Sequence, residues 1–481
     1  MTTKRIHFVS LGCPKNRVDS EVMLGVAETE GFIHTDDPAD ADVIVVNTCG
    51  FIESAKQESI ETIVELAGQK EHGRCKKLIV TGCLSQRYGD ELAEGLPEVD
   101  HFLGSSDMLR LAPVLRGAAP RLFVGNPADW LVQASDPRRI STRGASAYVK
   151  IAEGCNRTCS FCIIPQLRGK QRSRRPADVI TEVRGLIAAG VQEINLVSQD
   201  TIAYGRDFIH GEAEESGSAR ETLATLVNGL NELEGLRWLR LFYLYPEKLS
   251  DEIVELIANS PKIVPYIDMP LQHAADGMLT RMRRGHGGQR LRDAVLRVRK
   301  SIPNVVFRTA FIVGHPGETD AEFEELCEFV RWAEFDRVGV FHYSDEPTSR
   351  SFHLPDKVPE ELALERAAHL MQIQQEISRR KNEALIGRRV EVLVEGPSEE
   401  SELVMVGRWQ GQAPDIDGQV FISGGPVYPG RIYPAEVTDA TDYDLMVDVG
   451  EVDDHVGPVL PKQAGFTHQH KDGRVVLRTV S

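Results

Sequence analysis

The sequence predicts an α/β protein of three units in series: an N-terminal parallel α/β unit, a central partial (β/α)6 barrel and a small C-terminal antiparallel β-barrel. Three observations carry this. Apolar runs alternate with amphipathic stretches over the first 130 residues. The same rhythm resumes at Ala147 after an irregular, Pro- and Arg-containing stretch over 126–146. Beyond residue 384 the pattern shortens to alternating runs separated by Gly and Pro. We divide the chain into 1–130, a linker over 131–146, a barrel over 147–383, a β-barrel over 384–450 and an irregular tail over 451–481.

In the first unit, Ile6–Leu11, Val43–Val46 and Leu78–Val80 read as buried strands, and Val18–Thr29 and Ser54–Ala67 as the helices between them. Strand–helix–strand alternation of this length argues for a parallel sheet covered by helices. Cys13, Cys49 and Cys83 each stand just after one of these strands. The carboxyl ends of parallel strands share one sheet edge, where ligands bind, so the three thiols are expected to meet. Cys75 precedes a strand and Cys327 lies in a helical pattern; neither reads as a ligand.

In the second unit, the strands are Tyr148–Ala152, Glu193–Val197, Leu239–Leu244, Tyr266–Met269, Val305–Val313 and Arg337–Phe341. Helical patterns such as 178–189, 251–259 and 289–301 separate them. The stretch 205–218 reads as a mobile surface loop. Residues 154–162 read GCNRTCSFC, which places Cys155, Cys159 and Cys162 after the first strand, at the mouth where barrel sites gather. Three thiolates at CxxxCxxC spacing can hold three irons of one 4Fe–4S cube and leave the fourth iron open. A structural zinc site is the alternative, and it wants a second C-x-x-C pair that is not here. Cys13, Cys49 and Cys83 read as a second set of the same kind.

Polar groups follow later strands: Ser198, Gln199 and Asp200; Gln272 and His273; and Gly314 to Glu318. His273 is equally a structural histidine. The run 168–175 (RGKQRSRR) is basic and suits an RNA backbone, a solvated loop, an acidic peptide or a carboxylate.

In the third unit, Arg389–Val394, Val404–Trp409, Val420–Ile422 and Ile432–Val437 read as strands. Residues 384–450 hold four Arg and no Lys against twelve Asp or Glu. That balance is poorly built to grip phosphates, and a net charge of −17 for the whole chain points the same way. Glu391, Glu395, Asp415, Asp417, Asp439 and Asp444 are the candidate acidic face. No apolar run of about 18 residues predicts a membrane span, and Met1 to Ser10 shows no signal peptide. Eight cysteines, six of them in ligand positions, suit a reducing cytoplasm.

The chain resembles the methylthiotransferase family of radical S-adenosylmethionine (SAM) enzymes over roughly residues 4–450. The resemblance is carried by SLGCPKNRVDSE over 10–21, EGCNRTCSFCIIP over 153–165, YLYP over 243–246, DMPLQH over 268–273 and YSDE over 343–346. Within the family it looks most like the RimO type, which modifies an aspartate of ribosomal protein S-twelve. Relatives that modify isopentenyladenosine in transfer RNA usually show Gln-Met after the first cysteine. His315 and Thr348 depart from the family pattern, where Phe and Gly are common.

The resemblance implies two 4Fe–4S clusters, on Cys13, Cys49 and Cys83 and on Cys155, Cys159 and Cys162, with SAM as cofactor. It implies SAM contacts from Phe161, Ser198, Gln199, Gln272, Gly314, Gly317 and Glu318, and no catalytic residue beyond the cluster ligands. It names the small C-terminal unit a TRAM domain. It also implies a route that suits an aspartate β-carbon, which offers no handle for polar substitution. One SAM is cleaved to a radical that removes the hydrogen, and a second methylates a sulfur that the carbon then takes. The expected partners are ribosomal protein S-twelve and an electron donor such as a flavodoxin or ferredoxin, with direct RNA contact not expected to dominate. A transfer-RNA methylthiotransferase and a non-catalytic iron–sulfur carrier are the competing readings.

Overall fold

The computed structural model describes residues 4–208 and 221–451, and the backbone of two further strands, His468–Lys471 and Arg474–Leu477. Most of the surface loop expected over 205–218 lies outside the described residues.

The N-terminal sheet is built from β1 (Arg5–Ser10), β2 (Ile33–His34), β3 (Val43–Thr48), β4 (Lys77–Gly82), β5 (His101–Leu103) and β6 (Leu122–Phe123). Its parallel core runs β1-β3-β4-β5-β6, with the short β2 beside β1. Every residue of β3 is buried, as a parallel strand covered on both faces requires. Helix α1 (Pro14–Thr29) follows β1, α2 (Glu53–Ala67) follows β3, and a helix over Cys83–Gly95 follows β4. Apolar clusters fill both faces, around Phe8, Val45 and Met108 on one side and Val46, Leu78 and Phe102 on the other.

The central unit holds β7 (Ser146–Lys150), β8 (Ala152–Glu153), β9 (Arg172–Ser173), β10 (Glu193–Val197), β11 (Trp238–Leu241), β12 (Tyr266–Asp268), β13 (Val306–Val313) and β14 (Arg337–His342). Strands β7-β10-β11 and β12-β13-β14 form two parallel sheets, and Leu239 of β11 bridges to Ile263, just before β12. Six parallel strands with helices outside make the expected partial barrel. The first expected strand is split, because the chain breaks at Ile151 and β8 pairs antiparallel with β9. That ribbon closes the base of the cysteine loop.

The third unit is a closed barrel, β15 (Arg389–Pro397), β16 (Met405–Trp409), β17 (Val420–Ser423), β18 (Ile432–Ala440) and β19 (Leu445–Asp448), in the order β15-β16-β17-β19-β18. It is not wholly antiparallel. β19, which has no counterpart among the expected strands, pairs parallel with β17 and so closes the barrel. The segment 410–417 lies against the central barrel. Tyr148 donates to the Pro414 carbonyl (2.8 Å), Tyr266 donates to Asp417 (2.7 Å) and Arg240 donates to the Gln410 carbonyl (3.0 Å).

The tail is corrected in part. β20 (His468–Lys471) and β21 (Arg474–Leu477) form a hairpin, and β21 extends the N-terminal sheet antiparallel to β1, with Val476 opposite Val9. Backbone pairing at an open sheet edge, not local composition, places it.

Candidate functional site

Cys155, Cys159 and Cys162 lie on a loop pinned at its base by the β8–β9 ribbon and by the Cys155 N–H donating to the Gly169 carbonyl (3.1 Å). Gly154 is required here. Its φ is +77°, and a Cβ would stand 2.2 Å from the Lys170 carbonyl oxygen. Burial, with neighbouring thiols alongside, pushes Cys155 up to about 11 and Cys162 up to about 12. The Arg284 guanidinium lies 3.4 Å from the Cys159 sulfur, and the Tyr245 hydroxyl 3.9 Å from it. Arg157 and Arg284 both lie against the Tyr245 ring, 3.5 and 4.2 Å from its centroid. Arg157 is held by Asp200 (2.6 Å) and Glu247 (2.7 Å).

The second set sits at the edge where β1, β3 and β4 end side by side. Cys13 is the N-cap of α1, with Pro14 in the first turn, and Cys83 opens the helix that follows β4. Helix N-termini favour negative charge, which suits thiolates. A Cβ on Gly12 would stand 3.2 Å from the Cys49 sulfur, so the loop carrying Cys13 lies against Cys49. Burial, with Cys83 and Cys13 beside it, pushes the Cys49 thiol up to about 12. Burial also raises Cys83, against the pull of Arg168.

In each set two thiols, Cys49 and Cys83 in one and Cys155 and Cys162 in the other, are thus pushed by burial against ionising on their own. An iron cluster would supply the missing positive charge, and thiolate is its usual protein ligand. Around the first loop, Gln199 Oε1, Asp200 Oδ1, Arg157 Nη2 and Arg284 Nε are buried without a hydrogen-bond partner among the described residues. Two acceptors and two donors of this kind suit the ammonium and carboxylate of an amino acid, the end of SAM that chelates iron.

The two sets are brought together by α1. Lys15 reaches the Ser198 carbonyl (3.2 Å). Asn16 donates to the carbonyls of Leu11 (2.8 Å) and Thr48 (3.0 Å) and accepts from Arg168. Asp19 takes Lys150 (2.7 Å) and Arg168 (2.8 Å). Glu21 takes Arg138 (2.6 Å) and the Ser141 hydroxyl (2.7 Å), and Arg17 reaches Asp415 of the small barrel (3.3 Å). Glu153, just before the loop, pairs with Lys150 and with Arg168 (3.2 Å). Burial alone would raise its carboxyl, but these cations hold it well below the usual range.

The expected SAM contacts divide. Phe161 packs with Ile312 against Ala275, Met278 and Met282. Ser198 is buried beside Thr201 (2.9 Å), and Gln199 donates to Glu153 (2.8 Å). Gln272 adopts φ +75° and bridges to β13 through its backbone. Gly317 sits on a turn whose N–H donates to the Asp356 carbonyl (2.8 Å).

Glu318 and Gly314 have other duties. Glu318 is buried with His273 (3.1 Å), Arg366 (2.7 Å) and the Gly314 N–H (2.7 Å) on its two oxygens. Gly314 packs against Ala363. Both fasten the helix Glu360–Glu383 to the end of β13. His273 takes its structural reading, with the Ala275 N–H donating to Nδ1.

Much of the basic run is internal, although Lys170 and Arg175 are exposed. Arg168 and Arg174 are buried, Arg172 caps the carbonyls of Pro127 (2.7 Å) and Ala128 (2.6 Å), and Arg175 pairs with Glu221 (2.7 Å). An arginine run reads the same in sequence whether its partners are phosphates or distant carbonyls. The acidic face is corrected likewise. Glu395 pairs with Arg408 (2.6 Å), Asp415 accepts from Tyr148 (3.1 Å), and Asp417 is held by Tyr266. Sequence reasoning assigned no role to Lys15, Tyr243 or Tyr245, although all three stand inside its motifs.

Three family models match: uncharacterized protein family UPF0004 over residues 5–104, the radical SAM superfamily over 149–330 and the TRAM domain over 386–449. Among solved structures, the radical S-adenosylmethionine methyltransferase TsrM from Kitasatospora setae, with cobalamin and a [4Fe-4S] cluster bound, superposes with a TM-score of 0.53. At 16% identity, over 73% of this chain and 77% of that one, the likeness is one of fold. The chain is 63% identical to ribosomal protein uS12 methylthiotransferase RimO of Sorangium cellulosum, covering 100% of this chain and 98% of that one. It is 48% identical to the protein of the same name from Myxococcus xanthus, over 97% and 94%. Likeness of this degree along the whole length, with six cysteines standing in two triads, makes the chain a member of the ribosomal protein uS12 methylthiotransferase RimO family.

Proposed function

We propose that this protein transfers a methylthio group to the β-carbon of an aspartate in ribosomal protein uS12. The observation that carries the reading is the pair of three-cysteine sets joined through one helix, α1, which bears Cys13 at its N-cap and meets Lys150, Arg168 and Ser198 of the barrel.

Cys155, Cys159 and Cys162 would hold one 4Fe–4S cluster beside SAM, and Cys13, Cys49 and Cys83 a second. When bound, these groups supply an electron, a hydrogen-abstracting radical and the methylthio group. The chain's own share is placement and exclusion of water. The β8–β9 ribbon fixes the loop, Phe161 and Ile312 offer an apolar wall, and Gln199, Asp200, Arg157 and Arg284 offer polar ends for SAM.

In this reading residues 1–130 carry one cluster, 147–383 the other and SAM, and 384–450 form the TRAM barrel. A small electron carrier such as a flavodoxin or ferredoxin would reduce the barrel cluster, and the cytoplasm is the setting such chemistry wants. No helix among the described residues is long and apolar enough to cross a membrane. Transfer RNA is not favoured as substrate, since Arg168, Arg172 and Arg174 of the basic run are spent on internal partners.

The test uses cysteine variants of anaerobically reconstituted protein. Wild type should hold about eight irons. Cys49→Ala should lose half the iron and all methylthiolation of uS12, yet still cleave SAM to 5′-deoxyadenosine. Cys155→Ala should lose the other half and SAM cleavage together. Cys75→Ala and Cys327→Ala should change neither. Loss of iron in these last two variants, or no modification of uS12 by wild type, would overturn the reading.

A further inference from the structure

Buried and half-buried cations stand along the elements that carry the two cysteine sets. Lys150 and Arg168 are neutralised by Asp19 and Glu153. Arg157 is neutralised by Asp200 and Glu247, and Arg308 by Asp268 (2.6 Å). Arg284 spends one amino group on the Cys159 sulfur and the other on the Pro270 carbonyl (2.8 Å).

Lys15 stands apart. It is buried, and none of its ion pairs with a carboxylate closes within 4 Å among the described residues. Among the described residues its ammonium bonds only the Ser198 carbonyl at 3.2 Å and stands over the face of Tyr243, 3.7 Å from the ring centroid, while Cys13 and Glu153 are nearby negative groups that do not bond it. An ammonium has three donors, and one carbonyl uses one of them. A buried charge without a counter-ion is costly unless something pairs with it.

The groups that hold Lys15 are themselves constrained. Tyr243 adopts φ +56°, a left-handed backbone that an aromatic side chain rarely takes. Its N–H is fixed by Asp268 (2.9 Å). Strain of this kind persists where the surroundings over-determine it, and it gathers at functional sites. Lys15 also lies two residues from Cys13, while Ser198 precedes Gln199 and Asp200, which reach Glu153 and Arg157 of the other cysteine loop. Its ammonium therefore sits between the two sets.

We infer that Lys15 recognises the side-chain carboxylate of the substrate aspartate; the inference rests on the function proposed above. The chemistry favours it. The β-carbon to be modified is one bond from the carboxylate carbon, so a clamp on the carboxylate places the reacting carbon directly. A charge-assisted hydrogen bond in a dry site also separates aspartate from asparagine, which has the same shape and no charge.

The test is a cycle across enzyme and substrate. Binding of uS12 carrying the natural aspartate, or asparagine in its place, is measured with reconstituted wild type, Lys15→Met and Lys15→Arg. Wild type should prefer aspartate by about 10- to 100-fold. Lys15→Met should lose that factor for aspartate and bind both forms alike, with iron content and far-UV circular dichroism unchanged. Lys15→Arg should recover most of the preference. If Lys15→Met keeps the wild-type preference, the inference is wrong. If it loses iron from the N-terminal set, Lys15 is a cluster counter-ion and the inference is equally wrong. If wild type binds neither form, the function proposed above falls and takes this inference with it.

Discussion

Cys75 and Cys327 lie in apolar clusters, one behind the N-terminal sheet and one in the shell of the barrel. Cys13, Cys49 and Cys83 stand instead where strands hand over to helices, and the same thiol chemistry acquires a different use from that position alone. Histidine shows the same dependence on surroundings. His315 is buried, with Nε2 2.7 Å from the Ser351 hydroxyl and Nδ1 3.1 Å from the Pro316 carbonyl. Those partners set the neutral tautomer with the proton on Nδ1. Burial pulls its pKa down to about 4. The unfolded chain therefore takes up this proton near pH 6.5 and the folded chain only near pH 4. The stability that comes from keeping the ring neutral is complete above pH 6.5 and is lost as pH falls toward 4. The loss is roughly 2 kcal/mol between pH 7 and pH 5. Denaturant titrations should show His315→Gln with a correspondingly flatter dependence over that interval. An unchanged slope would mean that the ring charges in the folded state without penalty.

The helix expected over Val18–Thr29 begins at Pro14, next to Cys13, and its first turns dock the other units. Its residues 15–21 meet the barrel, the linker and the small barrel, because Lys15, Asn16, Arg17, Asp19 and Glu21 are all buried at those contacts. Asp19 answers two cations, Lys150 and Arg168, from across the interface. Removing one partner of a buried ionic group typically costs about 3–5 kcal/mol. Asp19→Ala should lower stability by that order and speed proteolysis within the linker over 131–146. The exposed Arg5–Asp40 pair is the contrast. Asp40→Ala should cost less than about 1 kcal/mol. Equal losses in the two variants would contradict the assignment of α1 as the docking helix.

The charge of the molecule is unevenly spent. Of the carboxylates on the small barrel, Glu395 and Asp417 face inward to Arg408 and Tyr266, so reversing them would break the fold rather than a docking surface, and Asp415, although exposed, is tied to Tyr148. Glu400, Glu402, Glu436 and Asp439 are exposed. Ribosomal proteins are typically basic, and an acidic surface steers such a partner. Reversing these four to Lys should weaken uS12 binding more at about 50 mM salt than at about 500 mM, where the Debye length is shorter. SAM cleavage should be untouched, since all four lie on the small barrel. Binding that is equally strong at both salt concentrations would remove the exposed acidic surface as a steering element.

Strand and helix periodicity, the two cysteine spacings and the order of the three units were legible in the chain, because they depend on neighbours a few residues apart. So was the placement of Cys13, Cys49 and Cys83 at the ends of neighbouring strands, since a parallel sheet leaves few alternatives. What the chain could not show is how charges are paired across 100 residues or more. The arginine run over 168–175 and the acidic barrel residues both read as surfaces, and each is in part consumed inside, Arg168 on Asp19 and Asp417 on Arg308 (3.8 Å). The hairpin of β20 and β21 was equally invisible, since its place depends on the open edge of β1. Glu318, expected at the cofactor, is committed to Arg366, 48 residues on. Local sequence decides what a residue is able to do; only the folded chain decides which partner reaches it first, because Coulomb and hydrogen-bond energies depend on distance in space and not along the backbone.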